Sequence, residues 1–153
     1  MTTRIRNFFL GALAIFAVAP VAASAAGVDT NAVGLRGYDP VAYFADGAPT
    51  QGENGHVAIH DNVVYLFSSD ANKQAFEADP QAYLPQYGGY CAMGVALGKK
   101  LPIDPEAWKI VDGKLYLNVS KQVAKHWSKD ISGNIAKADT NWPGIRDVSP
   151  ADL

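Results

Sequence analysis

The spacing of apolar and polar positions changes several times along this chain, and each change marks an element. From His56 the order His-Val-Ala-Ile-His, then Asp61-Asn62, then Val63-Val64-Tyr65-Leu66-Phe67 predicts two strands joined by a two-residue turn. Asp and Asn suit that turn because they tolerate positive φ. Ser68-Ser69-Asp70 offers N-caps for a helix over Ala71 to Ala78, with Phe76 on its apolar face and Asp79-Pro80 ending it. Ala92 to Leu97 is small and apolar, a short buried helix stopped by Gly98. A second hairpin follows: Trp108 to Val111, Asp112-Gly113 as a type I′ turn, then Lys114 to Leu117. Val123 and Trp127 recur at helical spacing between Ser120 and Lys129, with Lys121, Lys125 and Lys129 on another face. Ile135 and Ala138 predict one more helix, ended near Asn141-Trp142-Pro143-Gly144. This order gives an α+β fold, a small antiparallel sheet of hairpins with helices packed on it.

The first residues follow a different pattern. Arg4 and Arg6 precede an apolar run from Phe8 to Val18, and small residues ending in Ala23-Ser24-Ala25 follow, the order of a secretory signal peptide over residues 1–25. The run is shorter than the ~20 residues a spanning helix needs, and Pro20 sits just behind it, so no permanent membrane span is expected. The expected location is periplasmic or secreted after cleavage. Residues 26–36 are small, polar and Gly-bearing and read as a flexible lead-in, residues 37–145 as one domain and residues 146–153 as a tail.

Cleavage moves the formal charge from −2 to about −4, which leaves nothing basic for nucleic acid. With Cys91 the only cysteine, an intrachain disulfide and a multi-thiolate zinc site are both excluded. The remaining roughly 128 residues are enough to bury a core without such staples.

Several ordered motifs then stand together: Gly37-Tyr38-Asp39-Pro40-Val41-Ala42-Tyr43-Phe44, Tyr65-Leu66-Phe67-Ser68-Ser69, Phe76-x-x-x-Pro80-x-x-Tyr83, and Gln86-Tyr87-Gly88-Gly89-Tyr90-Cys91. Over roughly Val33 to Gly144 the chain resembles the exported branch of the YHS-domain family. The resemblance implies a small metal-binding module, with cysteines in an Asp-Pro-Val-Cys segment and after the second strand. Here the matching positions hold Ala42, Ser68 and Asn72, and His60-Asp61-Asn62 stands where the namesake Tyr-His-Gly turn would be. Metal binding therefore does not carry over residue by residue, and a different set centred on Cys91 would have to supply it.

Cys91 follows Gly88-Gly89 and opens a predicted helix, a place where free backbone N–H groups and the positive dipole end favour thiolate. Its other reading is a small buried hydrophobe. Met93 makes Cys-x-Met, a soft pair suited to copper(I) if the segment is extended, and a core residue if it is helical. His56 and His60 share a strand face about 13 Å apart, too far for one ion. Only one could join Cys91, and His60, beside the turn, is the candidate; its plain reading is an exposed turn histidine. His126 reads as a surface or half-buried residue of the lysine-rich helix. Tyr87 and Tyr90 are candidates to line an aromatic pocket beside Cys91, against a plain role in the core. Asp104 and Glu106 straddle Pro105 in a loop and read as a turn and helix cap.

No Gly-x-Ser-x-Gly, His-Glu-x-x-His or phosphate-cradling loop is present. The leading expectation is a non-enzymatic periplasmic module that binds copper(I) or zinc through Cys91 with His60 or Met93. The alternatives are a structural or interaction domain with an aromatic pocket for a small ligand, and a thiol-dependent redox protein. A homodimer would complete a one-cysteine site.

Overall fold

Asp61 (φ 49°) and Asn62 (φ 63°) both take the left-handed conformation, as do Asp112 (φ 50°) and Gly113 (φ 72°). Consecutive positive φ values are what a type I′ turn requires, and they fix the register of the hairpins on either side. The computed structural model describes residues 33–153; the expected signal peptide and most of the expected lead-in lie outside them.

Strand β1 (Glu53–His60) pairs antiparallel with β2 (Val63–Phe67), and β3 (Asp104–Val111) with β4 (Lys114–Asn118). The hairpins do not join: they form two separate two-stranded sheets. Five α-helices are present among the described residues: α1 (Ala42–Ala45), α2 (Asp70–Ala78), α3 (Ala92–Ala96), α4 (Lys121–Trp127) and α5 (Ile131–Ile145). The fold is α+β, as the order of elements requires. No helix of the described residues is long and apolar enough to cross a membrane.

The caps follow the sequence closely. Ser69 Oγ accepts from Asn72 N–H to open α2, and Ser120 Oγ accepts from Val123 N–H to open α4, each satisfying an amide that has no partner within its helix. Gly98 (φ 74°) closes the turn after α3.

Strand β4 divides the interior. Leu115 and Leu117 face a core built with Val41, Tyr43, Phe67 and Phe76, whereas Tyr116 between them faces a second core with Tyr87, Val95, Trp127 and Ala138. The period of two along a strand sends alternate side chains to opposite faces, and here both faces are covered. Cys91 belongs to the first core and its neighbour Ala92 to the second, so the start of α3 lies on the seam.

Three expectations are corrected. Residues 33–36 are not a featureless lead-in: Val33 bridges Val64, a 3-10 turn runs over Gly34–Gly37, and Leu35 is buried. Gly34 is needed there because its backbone lies against the Tyr65 ring, where a Cβ would collide. Asp104 and Glu106 are not in a loop beside a helix cap but open β3, where Asp104 Oδ1 accepts from Glu106 N–H at 2.9 Å before an irregularity in the ladder ahead of Trp108. The last helix starts at Ile131 and runs through Pro143 to Ile145. Pro143 removes one N–H donor, yet the turn closes because Arg146 N–H reaches Trp142 O at 2.9 Å and Trp142 is packed on Tyr87.

Candidate functional site

The segment from Gln86 to Cys91 cannot run straight into α3, because Tyr87 (φ 57°), Gly88 (φ 59°) and Gly89 (φ 80°) turn it through the left-handed region. Glycine adopts that conformation freely; tyrosine does so at a cost of about 1–3 kcal/mol that the surrounding packing must offset. The offset at Tyr87 is visible. Its ring is buried between Tyr116 and Trp142, and its hydroxyl donates to Asp139 Oδ1 of α5 at 2.8 Å. Burial first, then the bonded Asp139 carboxylate, holds this hydroxyl well above the usual tyrosine range. Tyr116 is raised as well, by burial and then by the charges of Asp139 and Asp112.

Tyr90 lies on the same side, half-buried. Trp142 packs on its ring at 6.4 Å and the Lys100 ammonium stands 4.8 Å from its centroid. Lys100 also donates to Arg146 O and Val148 O at 2.9 and 2.7 Å, tying the end of α5 to the loop after α3. The faces of Tyr90 are thus engaged within the protein, while Tyr87 points its hydroxyl at a carboxylate on α5.

Cys91 is completely buried and is the N-cap of α3. Its Sγ accepts from Gly94 N–H at 3.4 Å, and its S–H donates to Asn118 Oδ1 at 3.6 Å. Asn118 Oδ1 also accepts from Met93 N–H at 3.2 Å, so one side chain at the end of β4 anchors the first turn of α3. Asn118 Nδ2 is buried with no partner among the described residues. Met93 is helical, and its side chain packs against both cores. Asn118 begins an Asn-Val-Ser sequon in the sequence, but its 1 % exposure makes it an interior residue.

His60 goes elsewhere. Its ring packs edge-on against Phe76 at 6.0 Å, and Nε2 stands 3.4 Å from Asp61 Oδ2 but is too poorly aligned for a hydrogen bond. It is half-buried rather than exposed. His56 instead meets Asp70 Oδ1 at 2.9 Å, so the two histidines serve different neighbours. His126 is exposed on α4. Among the described residues no three or more His, Cys, Asp and Glu side chains gather as a metal-holding group.

The three positions that the resemblance sets against cysteines do come together. Ala42, Ser68 and Asn72 converge on Asp39, a fully buried carboxylate. Asp39 Oδ1 accepts from Val41 N–H at 2.8 Å and Ala42 N–H at 3.3 Å. Oδ2 accepts from Ser68 N–H at 2.8 Å, Ser68 Oγ–H at 2.7 Å and Asn72 Nδ2–H at 2.7 Å. Asn72 Nδ2 further donates to Ser68 Oγ at 3.2 Å.

No protein-family model, curated protein or solved structure matches the chain.

The Asp39 centre therefore has to be read from its own chemistry. A carboxylate pair of oxygens has about four lone-pair sites, and here donors already occupy them. Every group around Asp39 presents hydrogen rather than a lone pair or a thiolate. That donor set does not fit a metal ion, which needs the opposite polarity. It does fit a buried anion whose hydration shell has been replaced by protein N–H and O–H groups.

The sequence pattern did not bring out Asp39, Asn118 or Asp139. In the sequence Asp39 stands out only as one position of the Gly37–Phe44 motif. Its adjacency to Pro40 and to two free amides entering α1 was the local signal available, since Asp side chains satisfy such amides.

Proposed function

We propose that the chain is an exported, non-enzymatic module of YHS type that binds a small organic ligand on the side of its second core, with Cys91 serving as a packing and helix-capping residue. The observation that carries this reading is Tyr87. A tyrosine held in a left-handed conformation, buried, and aimed at Asp139 is local strain spent on placing one hydroxyl and one carboxylate, and such strain concentrates where ligands bind. The Asp39 centre supports the same reading from the other side, because the positions resembling a family's metal ligands are filled by hydrogen-bond donors.

The test is an NMR titration of the wild-type protein and the Cys91→Ser variant with small apolar molecules. Saturable shifts at Tyr87, Trp142 and Asp139 in both proteins support the reading. Absence of any saturable shift at these residues contradicts it.

A second reading, copper(I) or zinc at Cys91, is favoured by one specific observation. Asn118 Nδ2 is a buried donor without a partner on the side chain that receives the Cys91 S–H, while Gly94 N–H already points at the sulfur. Met93, two residues along, is the nearest soft side chain in sequence. This reading requires the thiol to give up its bond to Asn118 and a second donor to reach a fully buried sulfur, from Met93, from His60 after rearrangement, or from a second copy of the chain.

A further inference from the structure

Beyond Tyr87, the polypeptide forms an open groove of about 630 Å³ between the tip of the β3–β4 hairpin, the α4–α5 junction and α5. Its apolar lining comes from Val111, Ile131 and Ile135, whose inner sides pack on the core that contains Trp127. Its charges are unbalanced: Asp112, Asp130 and Asp139 line it together with a single cation, Lys129. Two of the three carboxylates are held in place, Asp139 by the Tyr87 hydroxyl at 2.8 Å and Asp130 by the Gly133 N–H at 3.0 Å. Asp112 comes from the turn of the β3–β4 hairpin.

We infer that this groove takes an organic ammonium ion with an apolar body, the ammonium lying between Asp112 and Asp139 and the body covering Val111, Ile131 and Ile135. The inference rests on the small-ligand reading and names the class of that ligand. Charge complementarity selects the cation, since a carboxylate ligand would meet three like charges and only Lys129 in its favour. The spread of the acids selects an organic cation over a metal. They come from the hairpin turn, the α4–α5 junction and α5 and form no metal-holding group among the described residues, whereas an ammonium brings three donors of its own. The groove is shallow and open, and Val111, Ile131 and Ile135 give its floor apolar area for the body to cover. Two other features of the surface carry less. The exposed Leu97 and Leu101 have nothing to say what covers them, and the second groove, over Ala96 and Thr140, has one charged residue, Lys137, in its lining.

The experiment compares three probes of similar shape on the purified protein: phenethylamine, 3-phenylpropan-1-ol and 3-phenylpropanoate. Shifts of the Ile131, Ile135 and Asp139 amides are followed by NMR, with Trp fluorescence as a second readout. The expected result is saturable binding of the amine that weakens about tenfold in Asp139→Asn, and by a similar factor in Asp112→Asn, while the alcohol binds weakly and equally to all three proteins. Asp139→Asn keeps an oxygen acceptor for Tyr87, and Asp112 is on an exposed turn, so at least one variant retains the fold; a thermal melt confirms it. If the alcohol binds as well as the amine, or the amine is indifferent to both substitutions, the ammonium inference is overturned while the small-ligand reading survives. If no probe moves the groove amides the inference also falls, and the Tyr87 and Trp142 side-chain signals in the same spectra decide whether the broader reading falls with it.

Discussion

Asn72 Nδ2 lies 2.7 Å from Asp39 Oδ2, across 33 residues of sequence, and with Ser68 it encloses a carboxylate that no solvent reaches. The turn before α1, the end of β2 and the first turn of α2 are thereby tied to one atom. Truncating the centre leaves several buried donors without a partner, so Asp39→Ala is expected to cost about 3–5 kcal/mol. Asp39→Asn should cost nearly as much, because its NH2 group would face donors. Urea unfolding with an unchanged slope measures this, and a loss below about 1 kcal/mol would mean that the centre is not a principal tie of the fold.

Cys91 is sealed, and its sulfur is occupied on both sides by Gly94 and Asn118. A disulfide reagent should therefore label it only as fast as the protein opens, with labelling accelerating steeply in denaturant. Cys91→Ala should cost about 1–3 kcal/mol from the cavity and the lost cap together. Prompt stoichiometric labelling in the native state would place the thiol at an accessible surface and favour the redox alternative.

Stability should fall in strong alkali. Tyr65 is pushed up to about 12 by burial and then by the charge of Asp61, and Tyr43, Tyr87 and Tyr116 are raised chiefly by burial. A hydroxyl whose folded value lies above its unfolded value near 10 holds its proton more tightly when folded. Its contribution is complete below pH 10 and is lost as pH rises toward and through the folded value. Ultraviolet titration of phenolate should show these four tyrosines ionising together with loss of the near-ultraviolet dichroism. Free titration of these four near pH 10 with the fold intact would contradict the burial of their rings.

Gly133 sits against the Asp130 carboxylate that caps α5, so a Cβ there collides with the cap. Gly133→Ala, a change worth about 1 kcal/mol in favour of a helix elsewhere, should here be close to neutral, because displacing the cap costs about as much as the helix gains. In an Asp130→Ala background the same substitution should become stabilising. A double-mutant cycle reads that difference as a coupling of about 1 kcal/mol, and additive effects would remove the steric argument.

How much of this was legible beforehand depends on the range of the interactions. The hairpins were legible because Asp61-Asn62 and Asp112-Gly113 set their own backbone angles, and α2 and α4 because Ser69 and Ser120 cap within three residues. The Asp39 centre was not, because its Oδ2 partners lie 29 and 33 residues away. The beginning of α5 was hidden by Ser132-Gly133-Asn134, a run of poor helix formers in which Gly133 makes room for the cap and Asn134 donates to Trp127 O at 2.9 Å. At the candidate site, the place of Cys91 at the start of a helix and the helical state of Met93 could be read locally. The engagement of the sulfur by Asn118 and of Tyr87 by Asp139 could not, since each joins elements far apart in the chain.

The most direct measurement is an anaerobic chelator-competition titration of the reduced protein with copper(I) and with zinc, wild type beside Cys91→Ser. A packing and capping role for Cys91 predicts no stoichiometric binding of either ion in either protein. One equivalent of metal held by the wild type and released in Cys91→Ser would contradict it and make metal handling the function of the chain.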